Sequence, residues 1–350
     1  MFFGRGRKRG AAVAERRPEV EEAERLVAAG EPFEAIDMLN RANRAERDPE
    51  LEREVRRVRH LAGLELLANP PSDPRFPEAA AELPPRGEQS RIPEVTPDEL
   101  SAEVLRAAVL ESGCLLVRNL MDRDEALRIA DEIDRSFEVR LEVGPGGSDQ
   151  AGYYDELVPE PPLQIDQRDW IKEGGGVLAA DSPRLLFDMF ESFENAGLRS
   201  VIEGYLGEKP AVSAQKCTLR KATPEVPGAW HQDGRFLGNV RSMNVWLSLS
   251  RCGDVAPSMD VIPRRLEEFV AAGTEGTFLS YQVSDAVATE AAADAGIVRP
   301  IFDPGDALLF DEMFLHQTGS DPSMPNPRYA IESWFFGPSA YPDDFVPIAF

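Results

Sequence analysis

Two of the chain's three histidines stand where they could hold a metal. His231 is followed by Gln232, Asp233 and Gly234. At the end of a strand, residues i and i+2 project from one face, so His231 and Asp233 can converge on a point while Gln232 faces away. The second histidine lies in Leu315-His316-Gln317-Thr318, just after Pro304-Gly305-Asp306-Ala307-Leu308-Leu309-Phe310. Two imidazoles and one carboxylate on one side of a metal leave the opposite positions open, the arrangement of non-haem Fe(II) oxygenases. Iron needs those positions for a bidentate cosubstrate and for O2. Each part alone has a plainer reading: Asp233 preparing the turn at Gly234, His316 as a core histidine with its hydrogen bonds met. In a histidine-poor chain, both at the ends of expected strands, the combination favours the metal.

Arg328 opens a further expected strand twelve positions after His316, beyond the proline-rich turn at residues 321 to 327. A guanidinium suits a bidentate clamp on a carboxylate such as the far end of 2-oxoglutarate. The plainer alternative is a loop cap, or a partner for a surface acid.

With these residues together, the chain resembles the phytanoyl-CoA dioxygenase (PhyH-like) family of Fe(II)/2-oxoglutarate-dependent oxygenases. The likeness rests on His231-x-Asp233, His316, Arg328 and the segment Gly305-Asp306-Ala307-Leu308-Leu309-Phe310. It is supported by residues 113 to 120 with their following helix and by Tyr205-Leu206-Gly207-Glu208, and it spans about residues 96 to 340. The resemblance implies a double-stranded β-helix (jelly-roll, cupin-like) core with helices packed outside. It makes His231, Asp233 and His316 the iron ligands and Arg328 the partner of the 2-oxoglutarate C5 carboxylate. Thr318, on the His316 face, would add a hydroxyl to that carboxylate, and Lys216 and Asn244 would supply further contacts to the cosubstrate. Cys217, facing the other way from Lys216, reads as packing. Halogenating relatives replace the Asp with a small residue, so Asp233 implies hydroxylation of an unactivated C–H bond of a small molecule, with O2 consumed and succinate and CO2 released. The family commonly carries Asn-Gly-Pro-Leu and Pro-Gly-Ser-His segments between the ligand strands. Here residues 252 to 265 keep Pro263 without the Gly-Ser-His, a departure on the substrate side.

The elements around these residues divide the chain. Residues 1 to 68 carry helical periodicity (Leu26 and Val27; Phe33, Ile36 and Leu39; Leu51, Val55, Val58 and Ala62) interrupted by Gly30-Glu31-Pro32 and Asp48-Pro49. This reads as a small tetratricopeptide-like helical hairpin region, which cannot bury its own face and must dock on the main domain, a second copy or another protein. Residues 69 to 97 hold eight of the 29 prolines and read as an extended linker, placed at 69 to 95. The dioxygenase domain is expected over 96 to 350, as an α+β unit with helices first and short strands after. Thr96 is expected to cap a helix, and another is expected over residues 184 to 205. Expected strands cover residues 211–221, 242–250, 277–283, 298–302, 307–310 and 328–336. The long loop at 144 to 182, with Tyr153, Tyr154 and Trp170, is expected to wall the pocket together with Arg235 and Phe236.

Composition narrows the setting. The net charge is -24, while residues 1 to 66 hold 14 basic and 14 acidic side chains, so the acidity belongs to the linker and the expected oxygenase domain. That balance disfavours nucleic acid and anionic membrane as partners. Three scattered cysteines, Cys114, Cys217 and Cys252, argue against a disulfide framework or thiolate zinc site and fit a reducing cytoplasm. The basic start, Arg5 to Arg9, lacks an apolar stretch behind it and is not a secretory signal. It reads as a disordered end or an arm touching a membrane or partner. Besides a small-molecule substrate, the expected partners are a protein or a second copy at the N-terminal helices. Three other readings stay open: desaturation, epimerisation or cyclisation with the same cofactors; an inactive barrel serving as a scaffold; and a cupin-like metal isomerase, which would give Arg328 no role.

Overall fold

The computed structural model describes residues 16 to 225 and 228 to 350, so the basic start of the chain lies outside the described residues. Proline opens each of the first three helices, where its missing N–H costs nothing: α1 (Pro18–Ala28), α2 (Pro32–Ala45) and α3 (Pro49–Ala68). Asp48 caps α3, accepting the Glu50 amide at 2.7 Å. The apolar faces (Val20, Ile36, Leu39, Leu51, Val55, Val58) close on one another and on Phe187 and Ala349 of the main body. The helical region therefore docks on the rest of the same chain. A Cβ at Gly63 would fall 2.9 Å from the Pro347 carbonyl carbon, so only glycine lets α3 lie this close to the last strand.

The proline-rich stretch is a strap packed on the body. Phe76 meets Tyr205 edge-on at 5.4 Å, and the Pro74 carbonyl accepts from Arg241 at 3.0 Å. Its last two residues, expected as linker, are strand β1 (Glu94–Val95), paired parallel with β2 (Cys114–Val117). Thr96 caps only a short 3-10 turn. The helix α4 (Ala102–Ser112) begins later, capped by Ser101, and stops at Gly113 with φ +77°. Then come α5 (Arg123–Val143), α6 (Arg168–Glu173) and β3 (Gly176–Leu178). The helix expected over residues 184 to 205 is two, α7 (Pro183–Asn195) and α8 (Leu198–Leu206), broken at Gly197 with φ +73°.

The remaining elements are β4 (Ala211–Ala222), α9 (Gly234–Leu237), β5 (Ser242–Ser248), β6 (Ser258–Val261), α10 (Asp285–Ala292), β7 (Ala307–Phe310), β8 (His316–Gly319), β9 (Arg328–Phe336) and β10 (Pro347–Ala349). The chain thus mixes helix and sheet. The larger sheet runs β1-β2-β7-β5-β9-β4-β10 with β3 also on β4, antiparallel except for β1–β2; β6 and β8 form a separate antiparallel pair. Strand alternation gives the larger sheet two buried faces. Met243, Val245, Leu247, Leu309, Ile331 and Phe335 join the core beneath the helices. Trp246, Leu308, Phe310, Ala330, Trp334 and Phe336 point the other way and pack with Met259 and Val261 of the small sheet.

Two expected strands are absent. Residues 298 to 302 contribute only isolated bridges, Val261–Val298 and Cys252–Phe302, and residues 277 to 283 only Trp230–Val283. The second stretch is β-rich in composition but turns back on itself through Thr277 to the Thr274 carbonyl (2.6 Å), with Phe278 96% exposed. All three cysteines are free and buried. Among the described residues, no helix is long and apolar enough to cross a membrane.

Candidate metal centre

His231 and His316 are brought together by the backbone. Each donates its amide to the other's carbonyl, His231 to His316 at 3.0 Å and His316 to His231 at 3.2 Å, a closed antiparallel pair that sets the two imidazoles side by side with centroids 4.4 Å apart. Asp233 arrives by a turn and not by strand alternation. It has helical φ/ψ (-60°, -30°) at the start of α9, whose Gly234 amide is anchored on the Glu312 carbonyl at 2.9 Å. Gln232 points away, donating to the Met313 carbonyl at 2.7 Å and accepting the Val270 amide at 2.9 Å.

The ligand-type atoms of His231, Asp233 and His316 all lie within 4.8 Å of one another. Asp233 Oδ2 is 3.8 Å from His231 Nε2 and 3.7 Å from His316 Nε2. His231 Nδ1 is 2.8 Å from the Ala229 carbonyl and His316 Nδ1 3.0 Å from the Phe314 carbonyl. A carbonyl only accepts, so each Nδ1 carries the proton and each Nε2 presents a lone pair beside the carboxylate. Burial first, then His231, pushes the His316 pKa down to about 4, which keeps that lone pair available. Asp233, 5% exposed, makes no capping bond to α9, so the turn-forming reading fails. A buried carboxylate facing two lone pairs is the electrostatic complement of a cation. The donor set, two neutral nitrogens and one carboxylate oxygen, fits Fe(II).

The triad opens on a cavity of about 270 Å³ lined from both sheets, and Arg328, Thr318, Lys216 and Asn244 all reach it. Arg328 is 1% exposed, yet gives one hydrogen bond (Nη1 to the Ser258 carbonyl, 3.2 Å), and its Nε has no partner. It lies over Trp246, 5.3 Å from the ring centroid, and burial lowers its pKa from the ordinary value. The Lys216 ammonium lies 4.0 Å from the Phe236 ring centroid, and burial lowers its pKa too, against the pull of Asp233 and Glu332. Asn244 Oδ1 is buried without a partner. Cys217 turns into the opposite core.

No family model and no curated protein matches the chain. Solved structures similar to it include the three that follow. EctD from S. alaskensis, solved with 2-oxoglutarate and 5-hydroxyectoine, is 20% identical over 77% of this chain and 89% of that chain, at a TM-score of 0.47. AviO1 from Streptomyces viridochromogenes Tue57 is 16% identical over 67% of this chain and 94% of that chain, at a TM-score of 0.40. SnoK, a non-heme alpha ketoglutarate dependent carbocyclase from nogalamycin biosynthesis, is 14% identical over 69% of this chain and 86% of that chain, at a TM-score of 0.44.

Of the aromatic and basic residues expected in the pocket wall, Trp170 and Phe236 line the cavity. Tyr153 and Tyr154 do not. They pack against Val139 and Val177, with the Tyr154 hydroxyl donating to Glu156 at 2.9 Å. Arg235 also turns away, stacking on Phe269 with 5.0 Å to the centroid. Sequence reasoning missed Thr218, Arg220 and Glu332, which line the cavity as well. The signal was there: 218 and 220 share the strand face of Lys216, and 332 that of Arg328. Glu332 accepts from Thr218 Oγ1 at 3.1 Å. Burial raises its pKa, but Arg220, Arg328, Thr218 and Lys216 outweigh this and hold it below the ordinary carboxylate range.

Proposed function

We propose that the chain is a non-haem Fe(II)/2-oxoglutarate-dependent dioxygenase of the phytanoyl-CoA dioxygenase type, hydroxylating an unactivated C–H bond of a small molecule. The observation that carries this reading is the orientation of the two imidazoles: both spend Nδ1–H on a backbone carbonyl and leave Nε2 beside an otherwise unpartnered Asp233 carboxylate. His231, Asp233 and His316 would hold the iron, whose bound form activates O2 and couples decarboxylation of 2-oxoglutarate to oxidation of the substrate. Residues 96 to 350 would form the catalytic domain, in the double-stranded β-helix arrangement, with the N-terminal helices bracing it.

Each other residue has a definite task. Arg328, which lines the cavity with its Nε unpartnered, receives the C5 carboxylate of the cosubstrate, and Thr318 adds a hydroxyl from the smaller sheet. Lys216 and Asn244 orient the other end. Trp246, Phe310 and Trp334 keep water from the buried side. Asp233 retains the carboxylate that favours hydroxylation.

Anaerobic addition of Fe(II) and then 2-oxoglutarate is expected to give a visible metal-to-ligand charge-transfer band. Its absence from the intact protein would refute the cosubstrate. Arg328→Ala is expected to weaken 2-oxoglutarate binding by about 10-fold or more while iron still binds, since it removes a charge-assisted fork.

A further inference from the structure

The cavity carries one positive charge more than this chemistry uses. Lys216, Arg220 and Arg328 line it, against Asp233 and Glu332. The two charges of the metal cancel the two of 2-oxoglutarate, and the two carboxylates cancel two of the three cations. The remaining charge needs a partner once ligands fill the cavity and displace its water, because a buried unpaired ion is costly.

Arg220 is the cation with no assigned partner. Its side chain is 15% exposed, and its nearest acid, Glu332 Oε1, lies 3.9 Å from Nε, beyond hydrogen-bond reach. Glu332 takes its hydrogen bond from Thr218 instead, and Arg220 Nε is buried without a partner. The Gly174–Gly176 loop lies against this side chain. Gly175 has φ +73°, and a Cβ there would lie 2.4 Å from the Lys221 carbonyl oxygen, so only glycine allows the loop to lie on β4. A Cβ on Gly174 or Gly176 would lie 3.4 Å from Arg220 Nη1 or Cδ respectively. Backbone thus roofs the guanidinium, and its open side is the cavity, next to Trp170 and Ile171.

Building on the dioxygenase reading, we propose that the substrate is an organic acid whose carboxylate sits on Arg220. Its apolar body lies along Trp170 and Ile171, and the carbon to be oxidised is carried toward His231, Asp233 and His316. The competing role for Arg220, as a mere counter-ion to Glu332, predicts no preference for acids.

The test uses two matched pairs, hexanoate with hexanamide and benzoate with benzamide, titrated by calorimetry into the anaerobic Fe(II)/2-oxoglutarate complex. At least one acid is expected to bind about 10-fold or more tightly than its amide, and Arg220→Gln to erase that preference while Arg220→Lys partly restores it. Affinity for 2-oxoglutarate in Arg220→Gln should move by less than about two-fold. Equal binding of acids and amides, a preference that survives Arg220→Gln, or loss of 2-oxoglutarate affinity in that variant overturns the proposal. Should the intact protein show no charge-transfer band, the dioxygenase reading fails by itself. The acid–amide comparison in metal-free protein, with and without Arg220→Gln, then decides the Arg220 seat separately.

Discussion

The helical region and the metal centre treat histidine in the same way on one side of the ring and oppositely on the other. His60 in α3, like His231 and His316, places Nδ1 against a backbone carbonyl, that of Pro347 at 2.8 Å. Its Nε2, however, accepts the Glu160 amide at 3.0 Å, so its lone pair is spent. With Arg59, which donates to the Ala349 carbonyl at 2.9 Å, it ties α3 to β10. The same tautomer therefore makes a clamp where a donor meets Nε2, and leaves a lone pair free for a cation where a carboxylate does. Composition cannot separate these roles; the partner of Nε2 does.

The largest effect that would break this contrast is on metal affinity. Asp233→Ala is expected to lower Fe(II) affinity by at least about 100-fold, beyond the loss attached to outer partners of a ligand. Fe(II)-dependent thermal stabilisation should disappear, yet the fold should persist, since the Asp233 side chain caps nothing. Binding measured by calorimetry and melting checks both. Retention of near-native affinity would remove the triad from any metal role.

His60→Ala should do the reverse. It strands the buried Pro347 carbonyl and the Glu160 amide and leaves a cavity, at a cost of about 2–4 kcal/mol in unfolding free energy. Iron affinity of the folded variant should match the wild type. Denaturant unfolding and metal titration of one preparation separate the two outcomes, and a joint loss would mean that α3 and the metal centre are one cooperative unit.

The contrast also marks what the residues alone convey. That His231, Asp233, His316 and Arg328 meet at one cavity was legible in the spacing of the expected strand ends and of the strand start that follows. The way Asp233 converges was not, because it depends on α9 being anchored to the Glu312 carbonyl, a long-range contact. Residues 277 to 283 have strand-like composition but no continuous partner, so tertiary context overrides propensity. Tyr153 and Tyr154 looked like pocket wall because they lie in a long loop, but that loop folds back onto α5: Ser136 donates to the Tyr153 carbonyl at 2.9 Å. Arg220 and Glu332 were within reach of strand alternation once Lys216 and Arg328 were placed, and were overlooked because a charge in an acidic chain reads as surface.

The smallest effect lies in pH. Burial holds the His60 pKa below its ordinary value of 6.5. A group with a depressed folded pKa contributes stability that is present above the unfolded value and lost as the pH falls, because the open chain takes the proton first. Metal-free protein should therefore weaken below pH 6.5, with His316, at about 4, adding to the slope. Glu312 acts in the opposite sense. Burial, then Asp311, raises its pKa to about 7 from 4.5, so the fold keeps a proton that the open chain gives up across that interval. The net slope is a difference, and substitution is the way to read it. His60→Gln should flatten the acid limb by less than about 1.4 kcal/mol per pH unit, whether or not Fe(II) is bound. His316→Gln should flatten it as well, and by more when Fe(II) is present, because Fe(II) on Nε2 would compete with protons and steepen the limb of the loaded wild type. Equal responses of the two variants to Fe(II) would show that the Nε2 environments of His60 and His316 do not differ in function.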